Sequence, residues 1–380
     1  MTTILEGFAG PGGLSEAARM LNLGDTLGIE FKHDACATAI AAGHPRMQAD
    51  IRSVNPYSYA GVTGWVSGPP CPTYADSGKR TGRTDYDIVL DGATVLGDTI
   101  NAEIGSPADD AYIAAYRKVR DQRSALVLEA LKFAIRLPDL DWLVAEQVPA
   151  VEKIWWEFAA ELACRDWESA AVVVLRADDF GAPTRRTRVF LLAARNRTLD
   201  LDGLPTRAVW GTGRFEEPWT APAFPYTPFP RLSMATVLGW PAGVRVNTRG
   251  GRTTPGGNEF WPGHGPAPSL TGTARSWYRT DLGKPDGYLK PWEAGLLQGF
   301  PADYPWQGSR TCQFQQAADS VPPLMGAAVL GTAAGVPWQD AIWSRLSELY
   351  GVETGDPDLL RLCDTGRTPR EQLDLFGEVA

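Results

Sequence analysis

A chain of 380 residues, 44% of them hydrophobic and 21% charged, can bury a sizeable core, and we expect one large domain plus a smaller one. The sequence has no apolar run long enough for a membrane span and no N-terminal signal pattern, which predicts a cytoplasmic protein. Its five cysteines have no CxxC spacing, which argues against disulfides and against a zinc site.

Charge is distributed unevenly along the chain. The formal net charge of −9 argues against a nucleic-acid partner. Between Asn196 and Pro285, however, ten Lys and Arg residues stand against six acids, so this segment carries +4 and the remainder −13. Nine of the ten cations are arginines, whose planar fork suits phosphate and guanine edges. The segment is therefore either a nucleic-acid contact region or a solvated, loop-rich insert.

The N-terminal half alternates strand and helix patterns. We predict a strand over Ile4–Phe8, a Gly-rich turn, a helix over Leu14–Leu23, a strand over Thr26–Phe31 and a helix over Ala35–Ala42 that Asp34 caps. A helix, a strand, a helix and two further strand-like runs are predicted over Arg123–Leu137, Trp142–Val148, Val151–Cys164, Ala170–Leu175 and Arg188–Ala194. Apolar strands that alternate with helices predict an α/β sheet covered on both faces.

The pattern divides the chain into four regions. Residues 1–195 form the α/β domain, and residues 196–285, rich in Pro, Gly, Trp and Arg and without periodicity, form a second, irregular domain. Helical patterning resumes over 286–335. Residues 336–380 are predicted to form a C-terminal helix followed by a flexible polar tail.

The cysteine best placed for chemistry is Cys71. It lies between Pro70 and Pro72, in a loop that leaves the predicted strand Gly64–Ser67. The prolines remove backbone donors and fix the path of the loop, so the thiol is held at a strand end and not in an apolar core. A thiolate is a strong nucleophile, and backbone dipoles at such a loop lower the pKa of a thiol. Taken alone, this loop supports a catalytic cysteine and an inert one about equally.

Residues that suit a nucleotide ligand follow the first strands. The turn Phe8–Gly13 brings backbone close to a ligand at a helix N-terminus, although Ser15 breaks the dinucleotide pattern GxGxxG. Glu30 ends the second strand and Asp50 ends a later segment, where acids can hold ribose hydroxyls and an adenine amine. The alternatives are an ordinary strand–helix turn for Phe8–Gly13 and, for each acid taken singly, a surface charge.

Charged residues also lie within or next to the later predicted strands. Glu146 lies inside the apolar run Leu143–Val148, and an acid in an apolar strand costs free energy unless it is paired or functional, or lies at the strand end. Arg185, Arg186 and Arg188 precede the next strand, where the alternative to a binding site is a solvated basic turn.

In order and spacing, these segments resemble the DNA (cytosine-5) methyltransferase family of prokaryotic or phage type. Phe8–Gly13 is similar to the cofactor loop of that family, and Pro70–Cys71 is similar to its nucleophile motif. Glu146–Val148 is similar to its Glu-Asn-Val strand, and Arg186–Arg188 to its paired arginines. Gln298–Pro301 and Gln316–Pro323 are similar to its two C-terminal motifs. The likeness covers most of the chain and is interrupted at 196–285, where the family keeps its variable target-recognition region.

The resemblance implies an S-adenosylmethionine-dependent methyltransferase (Rossmann-like) sheet with a smaller, irregular target-recognition domain. Residues 1–195 would bind cofactor and carry catalysis, and 286–335 would complete that domain. The implied reaction is methyl transfer to C5 of a flipped-out cytosine in a specific sequence of double-stranded DNA, through a covalent adduct. The implied catalytic residues are Cys71, Glu146, Arg186 and Arg188, and the implied cofactor-binding residues are Phe8, Ala9, Gly10, Gly12, Gly13, Glu30, Phe31, Asp50, Ile51, Asp319 and Ser320.

Four positions depart from the family's pattern. Pro72 replaces Gln after the nucleophile, Gln147 replaces Asn, Thr184 replaces Gln before the arginines, and Asp319 replaces Asn in the final motif. We expect an active monomeric enzyme of a bacterial or phage-infected cell, because the nucleophile, the glutamate and both arginines are intact. The resemblance puts Asp319 near the methionine end of the cofactor, where its carboxylate would repel the cofactor's carboxylate or favour an altered cofactor. The segment Arg80–Asp121 is a long insertion without an assigned role.

Three other functions compete with DNA methylation. An RNA-directed cytosine methyltransferase of the same family is disfavoured because the chain lacks a Cys-Phe-Thr tripeptide. A DNA-binding regulator that lost the chemistry is supported by the four substitutions but opposed by the intact Cys71, Glu146 and Arg188. A nicotinamide-dependent dehydrogenase is opposed by the broken GxGxxG pattern and the Pro-Cys loop.

The C-terminal tail carries a short apolar motif, Gln372, Leu373, Asp374, Leu375 and Phe376. It resembles the peptide with which bacterial replication and repair proteins bind the β sliding clamp, and apolar residues on a solvated tail are stabilised by filling a partner's pocket. The alternative is that they pack onto the protein's own C-terminal helices. We expect fluorescence anisotropy to show clamp binding that is lost when Leu375 and Phe376 become Ala; unchanged binding by that double variant would rule the motif out.

Overall fold

The computed structural model describes residues 3–70, 72–74, 81–98, 113–114, 116–206, 208–211, 219–220, 227–241, 243–248 and 259–352. Two predicted functional segments lie outside these residues. They are the nucleophile Cys71 and the clamp-binding segment Gln372–Phe376.

Within the described residues, nine strands form the central sheet, in the spatial order β3-β2-β1-β4-β5-β8-β6-β9-β10. The strands of this sheet are β1 (Ile4–Gly7), β2 (Thr26–Glu30), β3 (Arg46–Gln48), β4 (Gly64–Ser67), β5 (Trp142–Gln147), β6 (Ser169–Arg176), β8 (Thr187–Ala194), β9 (Ala208–Gly211) and β10 (Trp219–Thr220). Strands β3, β2, β1, β4 and β5 are parallel, and β8 runs antiparallel between β5 and β6. The predicted α/β fold class is confirmed.

Helices alternate with the strands along the described part of the chain. They are α1 (Gly13–Met20), α2 (His33–Ala41), α3 (Tyr86–Asp98), α4 (Gln122–Ala125), α5 (Leu128–Arg136), α6 (Glu152–Ala163), α7 (Met234–Leu238), α8 (Pro291–Leu297), α9 (Arg310–Asp319), α10 (Pro323–Ala334) and α11 (Gln339–Tyr350). In the described parts of the chain, no helix combines the length and the apolar character that crossing a membrane requires.

Two local predictions were wrong. The single helix predicted over Arg123–Leu137 is two helices, α4 and α5, because the chain between them tightens into i→i−3 bonds such as Leu126 N–H to the Arg123 carbonyl at 3.3 Å. Asp34 does not cap α2, since the helix begins at His33 and Lys32 occupies the N-cap position. Asp34 instead lies in the first turn, where its negative charge is favoured by the helix dipole.

Successive side chains of each strand enter two separate apolar layers. On β1, Leu5 belongs to one layer and Ile4 to the other, and Leu143 and Val144 divide in the same way on β5. Helices α3, α5 and α6 close the first layer, while α1, α10 and α11 close the second. Both faces of the sheet are therefore covered, as the apolar strands predicted.

Part of the insertion Arg80–Asp121 belongs to the core. Helix α3 buries Val89, Ala93 and Leu96 in the first apolar layer, and Tyr116 adds its ring to the same layer. The sequence offered no role for this segment. The described part of the insertion helps to cover one face of the sheet.

The chain after residue 195 contributes to two apolar clusters. Leu199, Leu201 and Leu204 lie in the second apolar layer of the central sheet. Further on, the short strands β11 (Val246–Asn247), β12 (Glu259–Phe260) and β14 (Tyr278–Arg279) form a small antiparallel sheet, and β13 (Ala267–Pro268) pairs with β7 (Thr184–Arg185). This region shares an apolar cluster with α8 and α9. The predicted boundaries at 195 and 285 stay predictions.

Candidate active site

The candidate site lies where the carboxyl ends of the parallel strands meet, the usual ligand crevice of an open α/β sheet. A cavity of about 880 Å³ opens there. The loops after β1, β2, β3 and β4 reach it, as does Glu146 on β5, and so does the start of β8, because that strand is antiparallel. Its lining includes these residues predicted from the sequence: Phe8, Ala9, Gly10, Gly13, Glu30, Phe31, Asp50, Ile51, Glu146, Arg186, Arg188, Asp319 and Ser320.

The glycine-rich loop is shaped by backbone conformations that few residues adopt. Phe8 has a φ of 57° and Gly10 a φ of 53°, and a Cβ added to Gly10 would meet no atom within 4 Å, so its backbone faces open space. Gly12 faces away from the cavity, where an added Cβ would come within 2.9 Å of the Tyr304 hydroxyl. At Gly13, an added Cβ would lie 2.3 Å from the Val321 carbonyl oxygen, so only glycine permits this contact between the two chain segments.

Side chains behind the loop hold its carbonyl groups. The Arg46 Nε donates to the Gly10 carbonyl at 3.3 Å, and the Tyr304 hydroxyl donates to the Pro11 carbonyl at 2.6 Å. Glu16 on α1 accepts from Arg345 on α11 at 2.8 Å, which ties the helix after the loop to the C-terminal helix. The loop is thus fixed from behind, with its other side toward the cavity.

Glu30 connects the end of β2 to the glycine-rich loop. One carboxylate oxygen accepts from the Gly10 N–H at 2.8 Å, and the other accepts from the Lys32 N–H at 2.7 Å. The ring of Phe31 is 72% exposed and lines the cavity. Asp50 caps a 3-10 turn and pairs with Arg52 at 2.6 Å; hydrogen bonds from Arg52 lower the pKa of the Asp50 carboxyl.

Glu6, on β1, is a buried acid that the sequence analysis did not single out. Its side chain lines the cavity beneath the loop and accepts a hydrogen bond from the Ser15 hydroxyl, to which Arg46 also donates at 3.0 Å. Burial raises the pKa of Glu6, and the Arg46 charge and the Ser15 hydrogen bond offset part of that effect. An acid between apolar residues of a strand was the available signal, the same one that identified Glu146.

Glu146 and Arg188 form an ion pair at the cavity wall. Arg188 Nε lies 2.7 Å from a Glu146 carboxylate oxygen, and Glu146 as a residue is 7% exposed. The second arginine nitrogen, Nη1, donates to the Thr187 carbonyl at 2.6 Å. The pairing explains how an acid is tolerated in an apolar strand. It also puts a carboxylate and a guanidinium side by side on one wall of the cavity.

Arg186 contacts the end of helix α9. Its Nη1 donates to the Ala318 carbonyl at 2.5 Å and its Nη2 to the Asp319 carbonyl at 3.1 Å. The guanidinium thereby satisfies carbonyl groups that the helix leaves without intrahelical partners. These contacts join the start of β8 to the C-terminal motif. The catalytic role that the resemblance implied for Arg186 stays a prediction.

Hydrogen bonds with two neighbouring strands fix the first residues of the loop that carries position 71. Pro69, Pro70 and Pro72 line the cavity. The Gln147 amide donates to the Pro69 carbonyl at 2.9 Å, and the Gly68 N–H donates to the Gly7 carbonyl at 3.2 Å. Gln147 is fully buried, so this departure from the family's pattern has a structural role: it holds the proline loop against β5.

The cavity also has lining residues that the sequence did not suggest. Lys32, Cys312 and Gln315 lie along the side formed by the end of β2 and by α9, and Arg123 reaches the cavity from α4. Lys32 and Gln315 directly adjoin predicted segments, whereas Cys312 and Arg123 carry no motif of their own. The packing of α9 against the rest of the cavity brings in Cys312 and Gln315.

A separate group of aromatic and basic side chains lies on the small sheet of the 196–285 region. Trp261 is 46% exposed, and the Arg245 guanidinium lies 5.7 Å from the centre of its ring. The His264 ring stacks on Trp261 with centroids 5.6 Å apart and planes 20° apart. We call Arg245, Trp261 and His264 the aromatic–basic group. Arg245 also pairs with the Glu259 carboxylate at 2.8 Å, and an exposed ring beside an arginine suits contact with nucleic-acid bases.

No protein-family model and no curated protein matches the sequence. Solved structures do match the fold. A mutant of DNMT2 from Spodoptera frugiperda has a TM-score of 0.54 and 15% identity, over 88% of this chain and 100% of that chain. The Dnmt2 methyltransferase of S. pombe has a TM-score of 0.50 and 14% identity, over 87% of this chain and 97% of that chain. The chain has the Rossmann-like fold of these methyltransferases. At such identities the likeness concerns fold alone.

Proposed function

We propose that the protein is a DNA cytosine-5 methyltransferase that uses S-adenosylmethionine and forms a covalent adduct between Cys71 and the target base. The observation that carries this proposal is the meeting of three groups in one cavity: the glycine-rich loop, the proline loop around position 71, and the Glu146–Arg188 pair. A cofactor and a base could thus be bound side by side.

The residues of the cavity fit the cofactor. Gly10 leaves open space where a side chain would stand, Glu30 and Asp50 offer carboxylate oxygens to ribose hydroxyls and an adenine amine, and the exposed ring of Phe31 offers an apolar face to a flat base. These residues would hold S-adenosylmethionine, which supplies the methyl group when bound.

The chemistry starts from the weakness of cytosine C5 as a nucleophile. Addition of the Cys71 thiolate forms an S–C6 bond, breaks the C5–C6 double bond and, with uptake of a proton from solvent at the ring nitrogen, gives an enamine whose C5 is nucleophilic. After C5 has been methylated, loss of the C5 proton to a base restores the C5–C6 double bond and expels Cys71 as thiolate, and the ring nitrogen returns its proton to solvent. Each turnover therefore returns the cysteine to its starting state.

The Glu146–Arg188 pair suits the ring that this chemistry produces. The Glu146 carboxylate can hold the protonated ring nitrogen and the exocyclic amine, and the Arg188 guanidinium can donate to the ring carbonyl. Their mutual contact at 2.7 Å orients both groups before a base enters. Gln147 contributes indirectly, because it fixes the carbonyl of Pro69 at the start of the loop that presents Cys71.

Double-stranded DNA is the proposed substrate. A cytosine inside a duplex cannot reach a cavity of this kind, so the base must be flipped out, at a cost of a few kcal/mol that contacts in the pocket offset. The aromatic–basic group lies in the region that the resemblance assigns to target recognition and offers an exposed ring for stacking beside the Arg245 guanidinium. It supports a nucleic-acid partner for this region despite the negative net charge of the chain.

The test is methyl transfer from S-adenosylmethionine labelled with tritium in its methyl group. We expect the purified protein to label random-sequence duplex DNA, and bisulfite sequencing of DNA from expressing cells to locate the methylated cytosines in a defined sequence. RNA of the same base sequence is assayed in parallel. Labelling of RNA alone would replace the DNA assignment with an RNA-directed one, and absence of label from every nucleic acid would contradict the methyltransferase proposal.

A further inference from the structure

An ion pair spans two sides of the cavity at its rim. The Lys32 ammonium lies 3.2 Å from the Asp319 carboxylate, and the Gln315 amide donates to the other oxygen of Asp319 at 2.6 Å. Lys32 follows β2 and Asp319 ends α9, so the pair joins segments that are 287 residues apart in sequence. All three side chains line the cavity.

The pair changes the expectation for Asp319. From the sequence, an added carboxylate near the methionine end of a cofactor would repel the carboxylate of that cofactor. In the structure, a lysine compensates the negative charge, and the rim presents an ammonium and a carboxylate side by side. An α-amino acid group also carries one ammonium and one carboxylate. The rim is therefore complementary in charge to a zwitterion.

The two rim charges are also accessible to a ligand. The side chain of Lys32 is 65% exposed and that of Asp319 is 43% exposed. Exposed ion pairs contribute little to stability, because water screens them and long side chains lose freedom when they pair. Exchanging the mutual contact for contacts with a bound zwitterion therefore costs little, and each charge keeps an opposite partner.

The backbone at Lys32 is held independently of this pair. The Lys32 N–H donates to Glu30, whose other oxygen binds Gly10, so the chain around Lys32 is tied to the glycine-rich loop. On the opposite side, Arg186 holds the carbonyl group of Asp319. The backbone of Lys32 and that of Asp319 are thus held by hydrogen bonds, and only the two side chains need to move to bind a ligand.

We propose that Lys32 and Asp319 form a two-point clamp for the amino-acid end of the cofactor. Lys32 binds the α-carboxylate and Asp319 binds the α-ammonium, with Gln315 orienting Asp319. The inference rests on the proposed function, since it takes the cofactor to be S-adenosylmethionine. It makes Asp319 a determinant of cofactor recognition, and not a substitution that the site merely tolerates.

The clamp is tested by calorimetric titration with three ligands that share the adenosine and sulfur. S-adenosylhomocysteine carries both charges, its decarboxylated form carries only the ammonium, and 5′-methylthioadenosine carries neither. We expect Lys32→Met to weaken S-adenosylhomocysteine at least about tenfold, the effect of one charge-assisted hydrogen bond, and not to weaken the other two ligands. Asp319→Asn should weaken S-adenosylhomocysteine and its decarboxylated form and spare 5′-methylthioadenosine.

Matched controls are Lys153→Met and Asp340→Asn, which remove exposed charges on α6 and α11. They should leave all three affinities within about twofold of wild type, which is about 0.4 kcal/mol. Melting temperatures of all variants show whether the fold is kept.

Three results separate the clamp from the function on which it rests. Equal weakening of all three ligands by either rim variant would show that the pair only supports the shape of the cavity, and the clamp would be overturned. Unchanged binding of S-adenosylhomocysteine by both variants would overturn it as well and leave the cofactor proposal standing. If wild type binds none of the three ligands, the cofactor proposal fails and the clamp fails with it.

Discussion

Replacement of Cys71 by serine is expected to abolish methyl transfer while DNA affinity is retained. A serine hydroxyl is a far weaker nucleophile than a thiol, of which a few per cent is already thiolate near pH 7. The phosphate contacts that dominate DNA affinity do not involve this side chain. Single-turnover transfer of tritium from labelled S-adenosylmethionine measures the chemical step, and fluorescence anisotropy measures binding of the same duplex.

The chain provides a matched control in Cys312→Ser. Cys312 also lines the cavity, from helix α9, and it is partly exposed. If Cys71 is the nucleophile, Cys312→Ser should keep nearly full activity. DNA that contains 5-fluorocytosine extends the comparison. Fluorine replaces the C5 proton that a base must remove to release the cysteine, so the adduct is trapped on the protein. Wild type and Cys312→Ser should form this covalent complex and Cys71→Ser should not; an adduct on the Cys71 variant would move the nucleophile to another residue.

Sequence patterns predicted the part of the fold that depends on local periodicity. The continuous apolar runs of β5 and β8 and the Gly-rich turn before α1 carry their signal within a few residues, and the sheet contains them as expected. The helix break at Leu126 and the start of α2 at His33 were missed because such boundaries depend on one or two hydrogen bonds, which composition does not encode.

The candidate site was predictable where its residues follow strands in chain order. Glu30 ends β2, Asp50 follows β3 and Glu146 lies in the apolar strand β5, and parallel strands bring such ends to one edge. The ion pair of Lys32 with Asp319 was not predictable, because it depends on how α9 packs against the end of β2. The role of Arg186 was hidden for the same reason: only the packed structure shows that it binds the carbonyl groups at the end of that helix.

Replacement of Glu146 by glutamine is expected to slow the chemical step by about 10²- to 10⁴-fold, the usual contribution of a positioned acid or base. Glutamine keeps the shape of glutamate but cannot share a proton with the ring nitrogen in the same way. The amide oxygen can still accept from Arg188, so the wall of the cavity should stay in place. Loss of the charge leaves Arg188 with a neutral partner in a nearly dry position, and we expect a modest drop in melting temperature.

The change in rate must be separated from that drop in stability. Glu157→Gln is the control, since Glu157 is an exposed acid on α6, away from the cavity, and its variant should match wild type in rate and melting temperature. Single-turnover transfer at a temperature well below both melting transitions gives the chemical step alone. A DNA-binding regulator would show no turnover for either variant to lose. If the Glu146→Gln variant transfers methyl groups as fast as wild type, other groups hold the target base. The assignment of the Glu146–Arg188 pair to the cytosine ring would then have to be abandoned.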